Sequence, residues 1–435
     1  MYFHISNLKP NQNAKLYCFV HELRDLHKIR FIVVKDKTGF LQVVLPKKEV
    51  SEEVFNEFDK LTKESFIYLE GLVKEAPKVK LPNKIELLPS KLKLIGKAET
   101  PTPIDTSGKI HTELSKRLDY RFLDLRDPKK AAIFEIRSKV VLFANEYLQR
   151  KGFTCIQTPK LTLIGCESGA ELFEVKYFGR KAFLAQSPQL YKQMFVIAGF
   201  EKVYEIGPFF RAEKSHTTRH LAEFTGIDFE MFLEKGYEEI MDMAEGLVKE
   251  ICKRVNEECK AELELLEKGV KIPKKIPRIS IEEIRKILKE KYNKIVAEND
   301  DLDPEAERLS CKYAKEKFNE ELIFVTEFPW EKRPFYHMKF ADRPNLTKSF
   351  DLLWNGIEIA TGSQREHRLE ILKKQAEEKG INLEAMKDYA VIFKYGAMPH
   401  GGIGFGLDRI IEAMLQLENV REAVLLPRDT QRIRP

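Results

Sequence analysis

Between residues 14 and 95, apolar and polar residues alternate in short runs: KLYCFVHEL, RFIVVKD, FLQVVLP, SFIYLEGLVKEA and KIELLPSKLKLIG. They are broken by DKTG and by turns containing Pro and Lys. Alternation with a period of two lets a strand bury one face and wet the other, so the pattern predicts strands. Five of them at this spacing suggest a small β-barrel of the oligonucleotide-binding (OB) type over residues 1–98. The stretch ETPTPIDTSGK, rich in Pro, Thr and Gly, ends that pattern, and a hinge is expected over 99–127. From residue 128 longer helical patterns such as IFEIRSKVVLFANEYLQRKG alternate with apolar strands, which predicts a second, α/β (α+β) domain over 128–435. Its charge-rich, strand-poor section, about 235–320, reads as inserted helices. FDLLWNGIEIA reads as two apolar strands joined by Asn355-Gly356, the strongest short-range signal for a two-residue hairpin. That turn would pair Leu353 with Glu358 and Asp351 with Ala360. Asp351 and Glu358 would then be diagonal neighbours on one face, ~7 Å apart.

Composition narrows the class without identifying it. Of the residues 43% are hydrophobic and 33% charged, and no uncharged apolar run approaches the ~18 residues that span a bilayer. The start, MYFHISNLKPNQN, lacks the basic and apolar regions of an export signal and the Arg- and Ser-rich pattern of an organelle signal, so a cytoplasmic location is expected. Six cysteines are scattered without a CxxC pair or zinc-like spacing, and are read as reduced thiols. A net charge of +6 permits a polyanionic partner but is not itself a nucleic-acid signature.

The chemistry lies in a set of segments in fixed order: Pro159 closing a helix–strand unit, QSPQLYKQ (186–193), FRAE (210–213), EFTGIDFEM (223–231), IEIATGSQREHR (357–368) and GIGFGLDR (402–409). In these the chain resembles the class II aminoacyl-tRNA synthetases, with Pro159 in motif 1, Arg211 and Glu213 in motif 2 and Arg409 in motif 3. QSPQLYKQ, the FRAE loop and GSQREHR narrow the resemblance to the aspartyl-tRNA synthetases of the archaeal and eukaryotic type, over nearly the whole chain. The resemblance implies an OB-type anticodon-binding domain and a catalytic domain on a mainly antiparallel sheet flanked by helices. It also implies a homodimer formed through motif 1, and ATP, L-aspartate and tRNA(Asp) as substrates.

Forming an aspartyl-adenylate requires a carboxylate to attack the α-phosphorus of ATP in line while pyrophosphate leaves, so the site must neutralise spreading negative charge. Arginines suit this: Arg211 can hold the α-phosphate and the incoming carboxylate, and Arg409 the γ-phosphate. The glycines at 401, 402, 404 and 406 are expected to let the backbone approach ATP. Two carboxylates on one hairpin face can share a divalent cation, and Mg2+ takes one or two protein carboxylates with phosphates and water. The resemblance agrees, matching Asp351, Glu358 and Thr361 to the metal–ATP site. It extends the ATP set to Glu213, Arg219, His220, Leu221, Phe224 as the adenine platform, and Gly406, Leu407 and Asp408.

A small dianion needs two fixed cations and an acceptor for its ammonium. By resemblance Lys192 and Arg365 clamp the side-chain carboxylate, and Gln189, Glu167 and Asp228 surround the ammonium. Gln186 and Ser187 support them, and Arg211 and Thr361 complete the aspartate set. Lys192 argues against the asparaginyl relatives, which place an apolar residue there. An intact set of Arg211, Arg409, Asp351 and Glu358 argues against a non-catalytic tRNA-binding paralogue, and the barrel against an ammonia-dependent asparagine synthetase.

For the nucleic acid, the resemblance matches Ser215 and Thr217 to contacts with the acceptor end of tRNA, and GCESGAEL (165–172) to a loop closing over aspartate. Phe31, Gln42 and Glu70 match anticodon contacts, a stacking aromatic with polar groups for base edges. Strict relatives carry Trp near the first strand and Lys in a following loop. Here His21 takes the first position, and Lys80 or Pro82 the second; aligning from the downstream strand selects Pro82. Neither His21 nor Pro82 enforces cytosine over uracil at the third anticodon base. Acceptance of tRNA(Asn) is therefore expected, with a tRNA-dependent amidotransferase downstream.

Overall fold

The computed structural model describes residues 2–107, 110–163, 171–214 and 219–435. They form two compact units. The first runs to Ile136 and takes in Cys259–Lys268 and the last two residues. Its strands β1 (Asn13–Asp25), β2 (Ile29–Asp36), β3 (Gly39–Pro46), β4 (Phe66–Glu75) and β5 (Ile85–Gly96) close into a barrel in the order β1-β2-β3-β5-β4, as the alternation predicts. Alternate residues Ala14, Leu16, Cys18 and Val20 of β1, Ile32 and Val34 of β2, and Leu41, Val43 and Leu45 of β3 fill its interior. On the face of β2 opposite Val34, Lys35 is also fully buried: it donates to Glu64 at 2.7 Å, and Arg126 Nη1 reaches the same carboxylate at 3.3 Å. The later part of the expected hinge is helical, Leu114–Asp119 and Arg121–Asp124, and Arg126 stacks 4.0 Å over Phe19 of β1.

The second unit is built on a sheet of eight strands. Adding β6 (Thr154–Cys155), β10 (Lys202–Phe210), β11 (Glu223–Phe232), β12 (Arg278–Ser280), β13 (Leu322–Thr326), β14 (Ser349–Trp354), β15 (Ile357–Gln364) and β16 (His400–Gly406), its order is β12-β13-β14-β15-β16-β11-β10-β6. All neighbours are antiparallel except β12 with β13 and β10 with β6. A three-stranded sheet of β7 (Leu161–Thr162), β9 (Arg180–Leu184) and β8 (Glu174–Tyr177) accompanies it. The section 235–320 holds the expected helices Glu238–Glu258, Ile281–Tyr292 and Pro304–Phe318, but it is not purely helical. Its strand β12 extends the main sheet, and three residues are too few to show a period.

The hairpin of β14 and β15 turns at Asn355 (φ 49°) and Gly356 (φ 83°), the two left-handed residues that its sequence demands. Leu353 pairs with Glu358 as expected, but Asp351 pairs with Thr361, not Ala360. The register slips because Ile359, 1% exposed, is an extra residue bulged into the apolar layer. The bulge sets a hydroxyl instead of a methyl opposite a buried carboxylate, which satisfies an acceptor that would otherwise be stranded.

Candidate active site

Strand register assembles the site in two transverse rows. Asp351 of β14, Thr361 of β15, Gly404 of β16, Asp228 of β11 and Glu205 of β10 lie opposite one another in sequence across five strands. Two residues along, Ser349, Ser363, Gly402 and Glu230 form the next row. The central strand carries glycine in both rows, and the neighbouring acids require it. A Cβ on Gly402 would sit 2.2 Å from Glu230 Oε2, and one on Gly404 2.8 Å from Asp228 Oδ1. These glycines make room for the acids of β11. A cavity of about 620 Å³ opens over this face, bordered by Lys192, Arg211, Arg365 and Arg409 among others.

At one end Lys192 and Arg365, 2% and 3% exposed, share the buried Glu230. Arg365 donates to its two oxygens from Nε at 2.9 Å and Nη2 at 3.2 Å, and Lys192 Nζ lies 3.5 Å from it. Lys192 also donates to Asp228 Oδ1 at 3.0 Å and to the Ile403 carbonyl at 3.2 Å. Burial raises Glu230, but Arg365 and Lys192 outweigh it and hold the carboxyl below its ordinary range, while burial leaves Asp228 raised. The remaining N–H groups of Arg365 go to Gln189 Oε1 (3.1 Å), Ser363 Oγ (2.6 Å) and His337 Nε2 (3.3 Å). All five guanidinium donors are thus engaged. A ligand carboxylate must replace one acceptor, and the neutral Gln189 amide yields more readily than Glu230. Burial and Arg365 press His337 well below its usual titration range, so its imidazole is neutral and can accept.

At the other end Thr361 Oγ1 lies within hydrogen-bonding distance of both Asp351 Oδ1 (2.8 Å) and Glu358 Oε1 (3.0 Å), drawing the two acids together. Arg333 Nη2 donates to Asp351 Oδ2 at 2.6 Å, and Arg409 Nη1 to the Glu358 carbonyl at 2.9 Å. The acids divide: burial and the charge of Glu358 push Asp351 up to about 7 against the pull of Arg333, whereas Arg409 and Arg333 hold Glu358 down despite burial. Among the described residues no group of three or more His, Cys, Asp or Glu could enclose a metal. Two acids and a hydroxyl suit an ion that takes most of its ligands from phosphates and water.

The cavity is also lined by Arg211, exposed, 5.3 Å over the Phe224 ring and 3.8 Å from Glu213, and by His220, itself 3.8 Å from Glu213. Gln186, Ser187, Leu221 and Gly406 border the same cavity. Asp408 borders it too, but its carboxylate accepts from the Thr225 amide at 3.0 Å and pairs with Arg137 at 2.5 Å. The Leu407 side chain is in the core. Glu167, Ser215 and Thr217 lie outside the described residues. Sequence reasoning missed Glu230, Arg333, His337 and Ser363. Glu230 was within reach, two residues from Asp228 on a strand, whereas Arg333 and His337 stand on an irregular segment with no period to read.

On the barrel, Phe31 and Gln42 are partly exposed on the outer face, where Val33 pairs with Gln42 and Phe31 with Val44. Glu70, on β4, accepts from the Tyr68 hydroxyl at 2.8 Å. His21 is the unpaired residue of a β1 bulge, its ring 4.9 Å from Phe40. The Phe40 carbonyl accepts from Asn83 at 2.9 Å, next to the exposed Pro82, so strand and loop residues meet at Phe40.

A family model described as tRNA synthetases class II (D, K and N) matches residues 113–430, and one described as an OB-fold nucleic acid binding domain matches residues 16–95. The chain is 46% identical over 98% of its length to the Aspartate–tRNA(Asp) ligase of Pyrococcus abyssi, covering 96% of that protein. It is 42% identical to the Aspartate–tRNA(Asp/Asn) ligase of Archaeoglobus fulgidus over the full length of both. An aspartyl-tRNA synthetase structure from Entamoeba histolytica matches with a TM-score of 0.89 at 30% identity, covering 100% of this chain and 93% of that one. An asparaginyl-tRNA synthetase from Pyrococcus horikoshii complexed with asparaginyl-adenylate matches with a TM-score of 0.89 at 31% identity, covering both chains fully. With the family model spanning most of the chain and relatives of this identity matched end to end, the chain belongs to the class II tRNA synthetases of the D, K and N group.

Proposed function

We propose that this enzyme is an aspartate–tRNA ligase that activates L-aspartate with ATP and transfers it to tRNA. The observation that carries the choice of amino acid is the pair of buried cations, Lys192 and Arg365, at one end of the cavity. An amide side chain has no charge to offer two such groups, and a carboxylate does. In this reading the side-chain carboxylate replaces Gln189 on Arg365, and the freed Gln189 oxygen joins Asp228 in accepting from the ammonium. Arg211 holds the α-carboxylate against the α-phosphate, Phe224 stacks the adenine, and Arg409 meets the γ-phosphate. Asp351, Glu358 and Thr361 would hold Mg2+, which supplies positive charge to the phosphates as pyrophosphate leaves. The 3′-terminal hydroxyl of tRNA then attacks the activated carbonyl and AMP departs.

Two further parts of the reading follow. The exposed Leu142 (42%), Leu161 (47%) and Leu163 (71%), on the segments flanking Pro159, support a homodimer through motif 1. The meeting of His21 and the Pro82 loop at Phe40 supports reading of the third anticodon base there, with no cationic donor at either position to reject uracil. ATP–pyrophosphate exchange with aspartate, asparagine, glutamate and lysine tests the central claim. Exchange is expected with aspartate alone, and equal exchange with asparagine would overturn it.

A further inference from the structure

The segment 235–320 has no role in the reading above, yet one of its side chains reaches an arginine of the cavity. Arg219 borders the cavity beside His220 and Arg409. Its Nη1 donates to Glu307 Oε2 at 2.8 Å, and its Nη2 to the Gly356 carbonyl at 3.0 Å. We propose that Glu307, on the helix Pro304–Phe318, is a positioning residue for ATP, fixing the guanidinium of Arg219 for the triphosphate. This rests on the ATP site proposed above.

Two acceptors on different elements, meeting different nitrogens, fix both the place and the plane of a guanidinium, whereas one would leave it free to pivot. Both acceptors are themselves held. Asp303 caps the helix by accepting from the Ala306 amide at 2.8 Å, Pro304 occupies its first turn, and Lys294 ties Asp303 and Glu305 at 2.6 and 2.9 Å. The hairpin turn is packed against the same helix so closely that a Cβ on Gly356 would come 3.0 Å from Arg308 Cα. Helix, turn and Arg219 therefore form one rigid corner of the site. Stability alone does not account for the ion pair: the side chains are only 26% and 14% exposed, and a largely buried pair gives back much of its attraction as lost hydration. A rigid cation facing a polyphosphate loses less freedom on binding than a mobile one.

The test compares the full-length enzyme with E307A, E307Q and R219M, by calorimetric binding of a non-hydrolysable ATP analogue and by exchange kinetics. E307A is expected to raise the KM for ATP about tenfold, the scale of one hydrogen bond to a charged group, with kcat and the KM for aspartate little changed. E307Q keeps an acceptor without the charge and should fall between. It also carries the test if E307A folds poorly, since it is nearly isosteric. Unchanged ATP affinity in both Glu307 variants while R219M binds weakly would overturn the inference and leave the ATP site standing. Tighter ATP binding in E307A would also overturn it, by showing that the carboxylate competes with phosphate. Full ATP affinity in R219M would remove Arg219 from the site and the inference with it.

Discussion

Glu230 is the residue around which the Lys192 and Arg365 end of the cavity is organised. Fully buried and ionised, it keeps two cations in place that would otherwise repel each other, at the cost of making each depend on it. Removing one partner of such a cluster strands charge in a poor solvent, a loss of about 3–5 kcal/mol. Arg365→Leu is therefore expected to abolish aspartate-dependent exchange and also to lower stability in urea by that order; Lys192→Leu should do the same more mildly, since its ammonium lies farther from Glu230. A variant that loses activity with unchanged stability would show that Glu230 does not depend on the missing cation. A second buried acid behaves differently. Glu412, 3% exposed, is pushed up to about 7 by burial, with Arg409 and Arg219 opposing. Its native pKa lies above its unfolded one, so the native state binds the extra proton between about pH 4.5 and 7, and stability falls as pH rises through that window. Glu412→Gln should then stabilise the protein by ~3 kcal/mol at pH 8 and by almost nothing near pH 4.5. Parallel unfolding curves at the two pH values check this.

The hairpin of β14 and β15 shows how an element carries chemistry that no single side chain explains. Its turn demands left-handed backbone, and its bulge converts a plain pairing into one in which Thr361 reaches both acids. Gly356→Ala adds a methyl at a φ of 83° and 3.0 Å from the neighbouring helix backbone. We expect it to cost about 1–3 kcal/mol and to raise the KM for ATP, because the turn carries the carbonyl that holds Arg219. Glu358→Gln tests the same hairpin chemically. It should raise the Mg2+ concentration needed for half-maximal exchange while leaving tRNA affinity intact, since the barrel is a separate unit. Gel-shift titration of tRNA beside the exchange assay separates the two, and equal loss of tRNA binding would make the acid structural.

At the scale of the whole molecule the prediction concerns which tRNAs are charged. Burial and the nearby Lys35 keep His21 below its usual titration range, so it presents a neutral ring, and Pro82 has no donor. The enzyme should aspartylate transcripts of tRNA(Asp) and tRNA(Asn) with efficiencies within about tenfold, as expected when no bidentate contact separates the two bases. His21→Trp with Pro82→Lys should widen the gap. Rejection of tRNA(Asn) by the unmutated enzyme by two orders of magnitude or more would end the idea, which has its counterpart in relatives named for both tRNAs. Sedimentation velocity at micromolar concentration should show a dimer; a fully active monomer would contradict the role given to Pro159 and its exposed leucines.

Local periodicity was enough to place the five barrel strands and the Asn355-Gly356 turn, because a strand that buries one face and a turn that needs two left-handed residues write themselves into neighbouring positions. The ordered motifs likewise marked Lys192, Arg211, Arg365 and Arg409, which border one cavity. What neighbouring positions do not encode is register between distant strands. That Gly402 and Gly404 yield space to Glu230 and Asp228, that Thr361 and not Ala360 faces Asp351, and that Glu307 holds Arg219 from 88 residues away are settled by which strands lie side by side and where a bulge slips them. Register is the outcome of packing the whole sheet at once, since a shift by one residue would send every side chain to the opposite face.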